Sequence, residues 1–204
     1  MRRENDFYET APWQVDALVD FLPELSGEIW CPCVGDGSLL QRLRERRPDL
    51  GPFVTNDIDP FKSANYCGDA TSKAHWERME AGSGQPDWIV DNPPFDVEID
   101  ILKHAYEIAR RGVVFMARLS FVEGTKHEKK RPRGPWLSEH PRIKQIALER
   151  YSFTGNGKSD NATTEWLVWA KPGVVIANPG GHTAFGYKAG WAQQRQSLVT
   201  LASS

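Results

Sequence analysis

The sequence predicts an α/β domain built on a mainly parallel β-sheet that is covered by helices. Short apolar runs alternate with stretches of helical periodicity along the 204 residues, as in proteins whose parallel strands are joined by helices. The run VVFMARL at 113–119 is almost entirely apolar, which is typical of a central strand buried on both faces. No internal repeat, linker or second apolar core is visible, so a single domain is expected.

The predicted elements follow one another in the order that such a domain requires. Residues 12–22 are predicted to form a helix, because apolar side chains recur there at helical spacing. The elements after it are a strand over 28–33, the turn VGDG, a helix, strands over 53–57 and 88–91, a helix over 98–110, and strands over 113–119, 143–149 and 165–171. Residues 1–175 are interpreted as the domain. The basic stretch 124–142 within it has the composition of a loop, and residues 176–204 form an irregular C-terminal tail.

The composition is that of an ordinary globular protein. Hydrophobic residues make up 40% and charged residues 25% of the chain. The N-terminal stretch MRRENDFYETAPW has no signal-peptide core, and no later segment is apolar enough to span a bilayer, so a cytoplasmic location without membrane contact is expected. Three cysteines are too few for a disulfide framework and lack a second Cys/His pair at zinc spacing. Reduced thiols, mostly buried, and no metal site are expected.

The net charge of −2 conceals a basic segment between residues 126 and 150. Only three glutamates accompany its cations, which are Lys126, Lys129, Lys130, Arg131, Arg133, Arg142, Lys144 and Arg150. A basic face of this kind can contact nucleic-acid phosphates. A solvated loop that only maintains solubility is an equal alternative. Trp136, in the same segment, either stacks against a base or packs within the loop.

A glycine turn follows the first predicted strand. In CPCVGDGSLL, Gly35 and Gly37 permit a ligand to approach the main chain, and the free amides of the following helix add partial positive charge. The third glycine of a dinucleotide fingerprint and the P-loop lysine are both missing. Asp57, at the end of the second strand, is placed to accept hydrogen bonds from a ribose. These features favour a ribose-bearing cofactor without a pyrophosphate, such as S-adenosylmethionine (SAM).

The segment GDA then places Asp69 where it can meet an adenine edge. Alternatively, Asp69 caps the helix that begins near Ser72.

The stretch DNPPF at 91–95 ends a buried strand abruptly, because two prolines cannot donate to a sheet. The side-chain oxygen of Asn92 and the carbonyl of Pro93 are two acceptors that can hold the hydrogens of an aromatic amine. Phe95 can stack on the ring of a base that has been flipped out of a duplex. A rigid turn with a buried Phe95 is the alternative. Asp91 is interpreted as a supporting carboxylate rather than a general base.

Taken together, these motifs resemble the SAM-dependent DNA N6-adenine methyltransferases, especially the small phage- and prophage-encoded group. The resemblance covers residues 6–171, and DNPPF is its most specific motif. It implies a Rossmann-like class I fold in which a seven-stranded, mostly parallel sheet has an antiparallel last strand and helices on both faces. It also implies DNA as partner and, for the phage-like group, protection from restriction.

The resemblance assigns roles to individual residues. Asn92, Pro93, Pro94 and Phe95 would hold the adenine, and Phe153 would contact the flipped base. The residues that would surround SAM are Phe7, Tyr8, Thr10, Cys33, Gly35, Gly37, Asp57 and Asp69. Cys31 stands where the family often has an acidic residue. The methionine amino group is therefore bound by Thr10 or Asp91, or lacks that contact.

Other functions remain open at this point. Similar motifs occur in methyltransferases that act on RNA bases or on glutamine amides of proteins, and a catalytically silent SAM- or DNA-binding module is a third possibility. No separate recognition domain is visible. Any sequence recognition must come from the loops at 124–140 and 154–164 or from the tail.

Overall fold

The computed structural model of the chain describes residues 9–122, 133–148 and 163–177, and the backbone of 184–188. The helices are α1 (Pro12–Phe21), α2 (Ser38–Arg46), α3 (Lys73–Ser83), α4 (Glu98–Ile108) and α5 (Gly134–Glu139). The strands are β1 (Ile29–Cys31), β2 (Phe53–Asp57), β3 (Tyr66–Cys67), β4 (Trp88–Asp91), β5 (Gly112–Arg118), β6 (Lys144–Leu148), β7 (Thr164–Ala170) and β8 (Ala184–Lys188). A 3-10 turn, Leu119–Val122, follows β5.

All eight strands belong to one sheet, in the order β3-β2-β1-β4-β5-β7-β6-β8. Every neighbouring pair is parallel except the two pairs that contain β7. The predicted seven-stranded sheet with an antiparallel last strand is therefore confirmed, and β8 extends it. The order of strands reverses between β1 and β4, which creates the crevice where open α/β sheets bind ligands.

Alternating apolar side chains give the sheet two covered faces. On β4, for example, Trp88 and Val90 face α1 and α2, whereas Ile89 faces α3 and α4. Helices therefore cover both faces, as predicted. All three of these β4 side chains have no exposed surface, which explains why central strands have continuous apolar sequences.

Helices α1 and α2 are joined by a buried ion-pair cluster. Asp16 has no exposed surface and accepts hydrogen bonds from Arg42 at 2.8 and 2.9 Å and from Arg46 at 2.6 Å. A bidentate guanidinium–carboxylate pair of this kind fixes both separation and orientation. None of the helices in the described ranges is long and apolar enough to cross a bilayer.

Two parts of the predicted organisation differ from the structure. The expected loop at 124–142 contains α5, because Pro135 is tolerated in the first turn of a helix and Trp136 and Leu137 pack on the α4 side of the sheet. The tail at 176–204 contains β8, which pairs in parallel with β6. Neither element has a distinctive apolar period in its own sequence. The stretch 154–162 and most of the tail lie outside the described residues.

Candidate active site

A cavity of about 660 Å³ opens at the carboxyl ends of the parallel strands, beside the point where the strand order reverses. Its volume lies within the range of ordinary small-molecule sites. Four segments and one residue from the start of the chain form its wall. They are Thr10, the turn after β1, the end of β2 with Asp57, the segment Gly68–Thr71, and Asp91 to Pro94. The structure therefore brings the predicted cofactor segments and the DNPPF motif to one place.

The glycine turn leads from β1 into α2. Gly35 and Gly37 have φ values of 59° and 82°, both in the left-handed region that favours glycine. Gly35 lines the cavity, and its N–H donates to Asp57 Oδ2 at 2.8 Å. Gly37 is not part of the wall, and a methyl group added there would meet no atom within 4 Å. Its role is therefore to permit the turn rather than to admit a ligand.

The end of β2 holds the neighbouring segments in position. Asp57 accepts the N–H of Gly35 through Oδ2 and that of Asp59 through Oδ1 at 2.9 Å. Each carboxylate oxygen has a second acceptor direction, so Asp57 retains capacity for two hydroxyl donors. Asn56, which precedes it, is fully buried and donates from Nδ2 to the carbonyls of Pro32 and Gly68 at 2.9 and 3.0 Å.

Asp69 lies at the exposed rim of the cavity. Its Oδ1 accepts hydrogen bonds from the backbone N–H and the hydroxyl of Thr71, both at 2.8 Å. Ser72, rather than Asp69, is the N-cap residue of α3. Asp69 therefore shapes the turn that precedes the helix, and its position on the wall leaves the predicted adenine contact possible.

The tip of β4 presents Asn92 at the cavity. The Asn92 side chain is half-buried, and its Nδ2 donates to Thr10 Oγ1 at 3.1 Å. This contact turns the amide oxygen away from Thr10. The Pro94 carbonyl accepts the Val97 N–H at 3.1 Å and starts the turn into α4. In the part of the chain that the structure describes, no backbone donor reaches the carbonyl of Pro93, a cavity residue.

Asp91 is the most unusual group in the cavity wall because it is a fully buried carboxylate. Its Oδ1 accepts hydrogen bonds from Cys31 Sγ at 3.2 Å and from the Asn92 N–H at 2.9 Å. Its Oδ2 has no hydrogen-bond partner among the described residues. Burial raises the pKa of Asp91 to about 7, although the neighbouring Cys31 and Cys33 thiols and the Asn92 N–H oppose part of the rise. Burial, with the nearby Asp91, also raises the pKa of the Cys31 thiol, so this thiol stays protonated.

Comparisons with known proteins identify the fold. No family model matches the sequence, and no curated protein matches it. A protein from Listeria monocytogenes described as a class I SAM-dependent methyltransferase superposes with a TM-score of 0.61 and 12% identity, over 92% of this chain and 67% of that one. The type I restriction-modification methyltransferase subunit from Streptococcus thermophilus superposes with a TM-score of 0.62 and 12% identity, over 97% of this chain and 54% of that one. The chain has the class I methyltransferase fold.

A third structure with this fold is the ATP-dependent Type ISP restriction-modification enzyme LlaBIII bound to DNA. It superposes with a TM-score of 0.55 and 12% identity, over 88% of this chain and 19% of that chain. The chain thus spans about half of the Streptococcus subunit and a fifth of this enzyme. At these identities the likeness establishes the class I methyltransferase fold alone.

Trp136, a predicted substrate contact, packs against other aromatic side chains. Trp136 stacks on His140 with ring centroids 4.3 Å apart and contacts Tyr106 and Trp169 edge-on or tilted. Trp169 pairs with Val113 at the start of β5, so this cluster lies at the opposite edge of the sheet from Asn92. These contacts support the packing alternative for the half-buried Trp136, and its stacking on a base stays a prediction.

Part of the predicted basic face is also engaged within the protein. Arg133 pairs with the buried Glu98 at 3.5 Å, and Lys144 is buried with its ammonium donating to the Phe21 carbonyl at 2.8 Å.

Of the cysteines, Cys31 is buried, Cys33 is half-buried and Cys67 is exposed. The predicted residues outside the described part of the chain are Phe7, Tyr8, Lys126, Lys129, Lys130, Arg131, Arg150 and Phe153.

Two features near the DNPPF motif were not predicted from the sequence. The guanidinium of Arg118, at the end of β5, lies 4.6 Å from the centroid of the Phe95 ring. The half-buried Phe95 is not part of the cavity wall, in keeping with this cation–π contact on one ring face. The other feature is Glu98 at the start of α4, whose pKa burial raises to about 8. Arg118 is the last residue of β5 and Glu98 is the first residue of α4, and neither position has a distinctive signal in the sequence.

Proposed function

We propose that this chain transfers a methyl group from SAM to the 6-amino group of adenine in DNA. The observation that carries this proposal is that one cavity is lined both by the glycine turn with Asp57 and Asp69 and by Asn92 and Pro93. The first group of residues suits an adenosine with a free ribose, and the second suits an aromatic amine. Their common cavity lies at the reversal of strand order in a class I methyltransferase fold.

The residues present fit SAM. Asp57 keeps acceptor capacity for the ribose hydroxyls, and Asp69 at the rim suits the amino group of the adenine. Asp91 offers a buried carboxylate oxygen without a donor among the described residues, and the α-ammonium group of SAM is a donor of opposite charge. Asp91 thus supplies the carboxylate that the family often has at the position of Cys31. We assign the cofactor-binding contacts to Thr10, Cys33, Gly35, Asp57, Asp69 and Asp91.

Asn92 and Pro93 would prepare the amine. The lone pair of an aromatic amine is delocalised into the ring, and two acceptors aimed at its hydrogens favour the geometry that releases it. The Thr10 contact engages Asn92 Nδ2, so the amide oxygen is the atom that can accept from a substrate. Bound SAM would supply an activated methyl group, which the amine nitrogen would take as the carbon–sulfur bond breaks, with the extra proton passing to solvent. Proximity and fixed dipoles supply most of the rate.

DNA is the substrate that the observations favour. Two of the similar structures are named as restriction-modification proteins, and one of them is bound to DNA. The basic segment that contains Lys126, Lys129, Lys130 and Arg131 suits phosphate contacts. A base in a duplex must leave the stack to reach Asn92. Phe95, which follows Asn92 by three positions and lies outside the cavity wall, would stack on the extruded base.

The test is methyl transfer from labelled SAM to DNA, RNA and protein, followed by nucleoside analysis of the product. We expect label in N6-methyladenine from DNA. Asn92→Ala should lower the transfer rate at least ~100-fold, because one of the two acceptors is lost, while the SAM dissociation constant changes less than about three-fold. Label in RNA or protein alone would refute the choice of substrate. SAM binding without any transfer would identify a silent binding module.

A further inference from the structure

We propose that His75 and Asn56 are positioning residues of the cofactor pocket, which hold its two walls at a fixed separation without contacting the ligand. The two walls are the glycine turn and the Gly68–Asp69 segment. This inference rests on the proposed cofactor and concerns its adenosine half. Hydrogen bonds join Arg78, His75 and Asn56 into a chain, the Asn56 network.

The Asn56 side chain ties the two walls together. Its Nδ2 uses both hydrogens, one on the Pro32 carbonyl of the glycine turn and one on the Gly68 carbonyl, at 2.9 and 3.0 Å. Its backbone carbonyl also accepts the Val34 N–H at 2.9 Å. Both walls line the cavity, but Asn56 does not. Rotation of this amide would place an oxygen against two carbonyl oxygens, so the position of the walls depends on its orientation.

His75 fixes that orientation. It lies on α3, is 8% exposed, and its Nε2 is 2.7 Å from Asn56 Oδ1. An amide oxygen only accepts, so Nε2 must carry the proton. The other ring nitrogen, Nδ1, lies 2.9 Å from Arg78 Nη2, which only donates. The partners on both sides therefore select one neutral tautomer, and every hydrogen bond in the Asn56 network has a defined direction.

The His75 ring packs directly against Gly68 in the wall segment. A methyl group built on Gly68 would lie 2.4 Å from both Cε1 and Nδ1 of the His75 ring. Glycine at position 68 thus lets the ring sit directly against the wall segment. Arg78 also donates to the Cys67 carbonyl at 2.8 Å, so the network holds the residue before Gly68 as well.

The charges that face His75 favour its neutral form. Burial lowers the pKa of His75 and the Arg78 guanidinium lowers it further, whereas Asp69 raises it. Protonation would add a hydrogen to Nδ1, directly opposite the Arg78 donor. Because the folded pKa is depressed, the folded state takes up this proton less readily than the unfolded chain. The network should therefore lose stability as the pH falls below the ordinary histidine pKa of about 6.5.

The experiment uses 5′-methylthioadenosine, which has the adenosine of SAM but no ammonium group for Asp91. At about pH 7.5, where His75 is neutral, we expect His75→Phe to weaken its binding about ten-fold, since Asn56 Oδ1 loses its donor. His75→Gln keeps a donor and should bind within about three-fold of wild type. His140→Gln is the matched control, because His140 stacks on Trp136 away from the cavity. Urea unfolding of each ligand-free variant measures the purely structural effect.

The pH dependence of the same binding gives a second readout. We expect the affinity of the wild type and of His140→Gln to fall as the pH is lowered below the ordinary histidine pKa of about 6.5 and His75 protonates, and that of His75→Gln to stay level. Equal pH profiles for wild type and His75→Gln would overturn the positioning role. So would a His75→Phe variant that loses stability but binds the probe like wild type. If the wild type binds neither SAM nor the probe, the proposed function itself fails, together with this inference.

Discussion

Replacing Asp91 by asparagine should make the ligand-free protein more stable and its SAM binding much weaker. Asp91 is fully buried, and its pKa is raised to about 7. Asparagine keeps an oxygen for the Cys31 and Asn92 donors that Oδ1 now accepts. It removes the buried negative charge. The same charge is what we propose binds the ammonium group of SAM.

The size of the stability change follows from the pKa. Moving an aspartate pKa from its ordinary value of about 3.9 to about 7 costs roughly 4 kcal/mol of folding free energy when the group is ionised. The amide nitrogen that the substitution puts in place of Oδ2 would lack an acceptor, at a cost of about 1–3 kcal/mol. Asp91→Asn should therefore raise the free energy of unfolding by about 1–3 kcal/mol near pH 8.

The pH dependence has a definite sign. Because the folded pKa of Asp91 is raised, the folded state binds the proton more tightly than the unfolded chain does. Wild-type stability is therefore lost as the pH rises from about 4 to 7, and Asp91→Asn does not share this loss. The advantage of the variant should grow across this window and stay constant above it.

Urea unfolding, followed by the fluorescence of the eight tryptophans, measures the stability, and calorimetry measures the binding. SAM should bind Asp91→Asn about 10–100-fold more weakly, as expected for a lost charged hydrogen bond, whereas 5′-methylthioadenosine should bind as before. Asp49→Asn, at an exposed ion pair with Arg47, controls for charge removal. A variant less stable than wild type at pH 8, or an equal loss for both ligands, would refute the reasoning.

Three further predictions test other parts of the structure. Gly68→Ala should weaken 5′-methylthioadenosine binding, because its methyl group would lie 2.4 Å from the His75 ring; unchanged affinity would show that the wall can move freely. Asp16→Ala should lower the free energy of unfolding by about 2–4 kcal/mol in urea titrations, since it leaves Arg42 and Arg46 without their buried partner. A loss under about 1 kcal/mol would contradict this. Replacing Lys129, Lys130 and Arg131 by glutamine should reduce the salt slope of DNA binding by up to about three. An unchanged salt slope would show that these residues do not contact phosphates and belong to a solvated loop.

The sequence was informative wherever one strong local signal decided the structure. The apolar strands β4 and β5 and the glycine turn were predicted because central parallel strands and tight turns limit which residues can stand there. The carboxyl ends of the parallel strands β2 and β4 then place Asp57 and Asn92 at the same edge of the sheet. Elements that depend on partners were not predicted. Helix α5 is polar in sequence and is held by packing of Trp136 and Leu137, and β8 by backbone pairing with β6.

Polar residues in the core were the hardest to interpret. Asn56 and His75 are 19 positions apart, and nothing in the sequence of either segment predicts the hydrogen bond between them. The sequence places Lys144 on a basic face because its charge is visible there, whereas its burial against the Phe21 carbonyl is not. Side-chain networks of this kind come from tertiary juxtaposition, which one-dimensional patterns do not encode.

Cys31 and Asp91 end neighbouring parallel strands, and their side chains touch across the gap. A negative charge at the end of β4 can thus reach the space that a longer acidic side chain on β1 would occupy. The geometry predicts that a carboxylate at position 31 can replace the one at position 91. Cys31→Glu combined with Asp91→Ala should therefore restore the SAM affinity that Asp91→Ala alone loses. In methyltransferases that lack an acidic residue at the position of Cys31, the carboxylate that binds the cofactor should therefore be sought by its place in the structure and not by its position in the sequence.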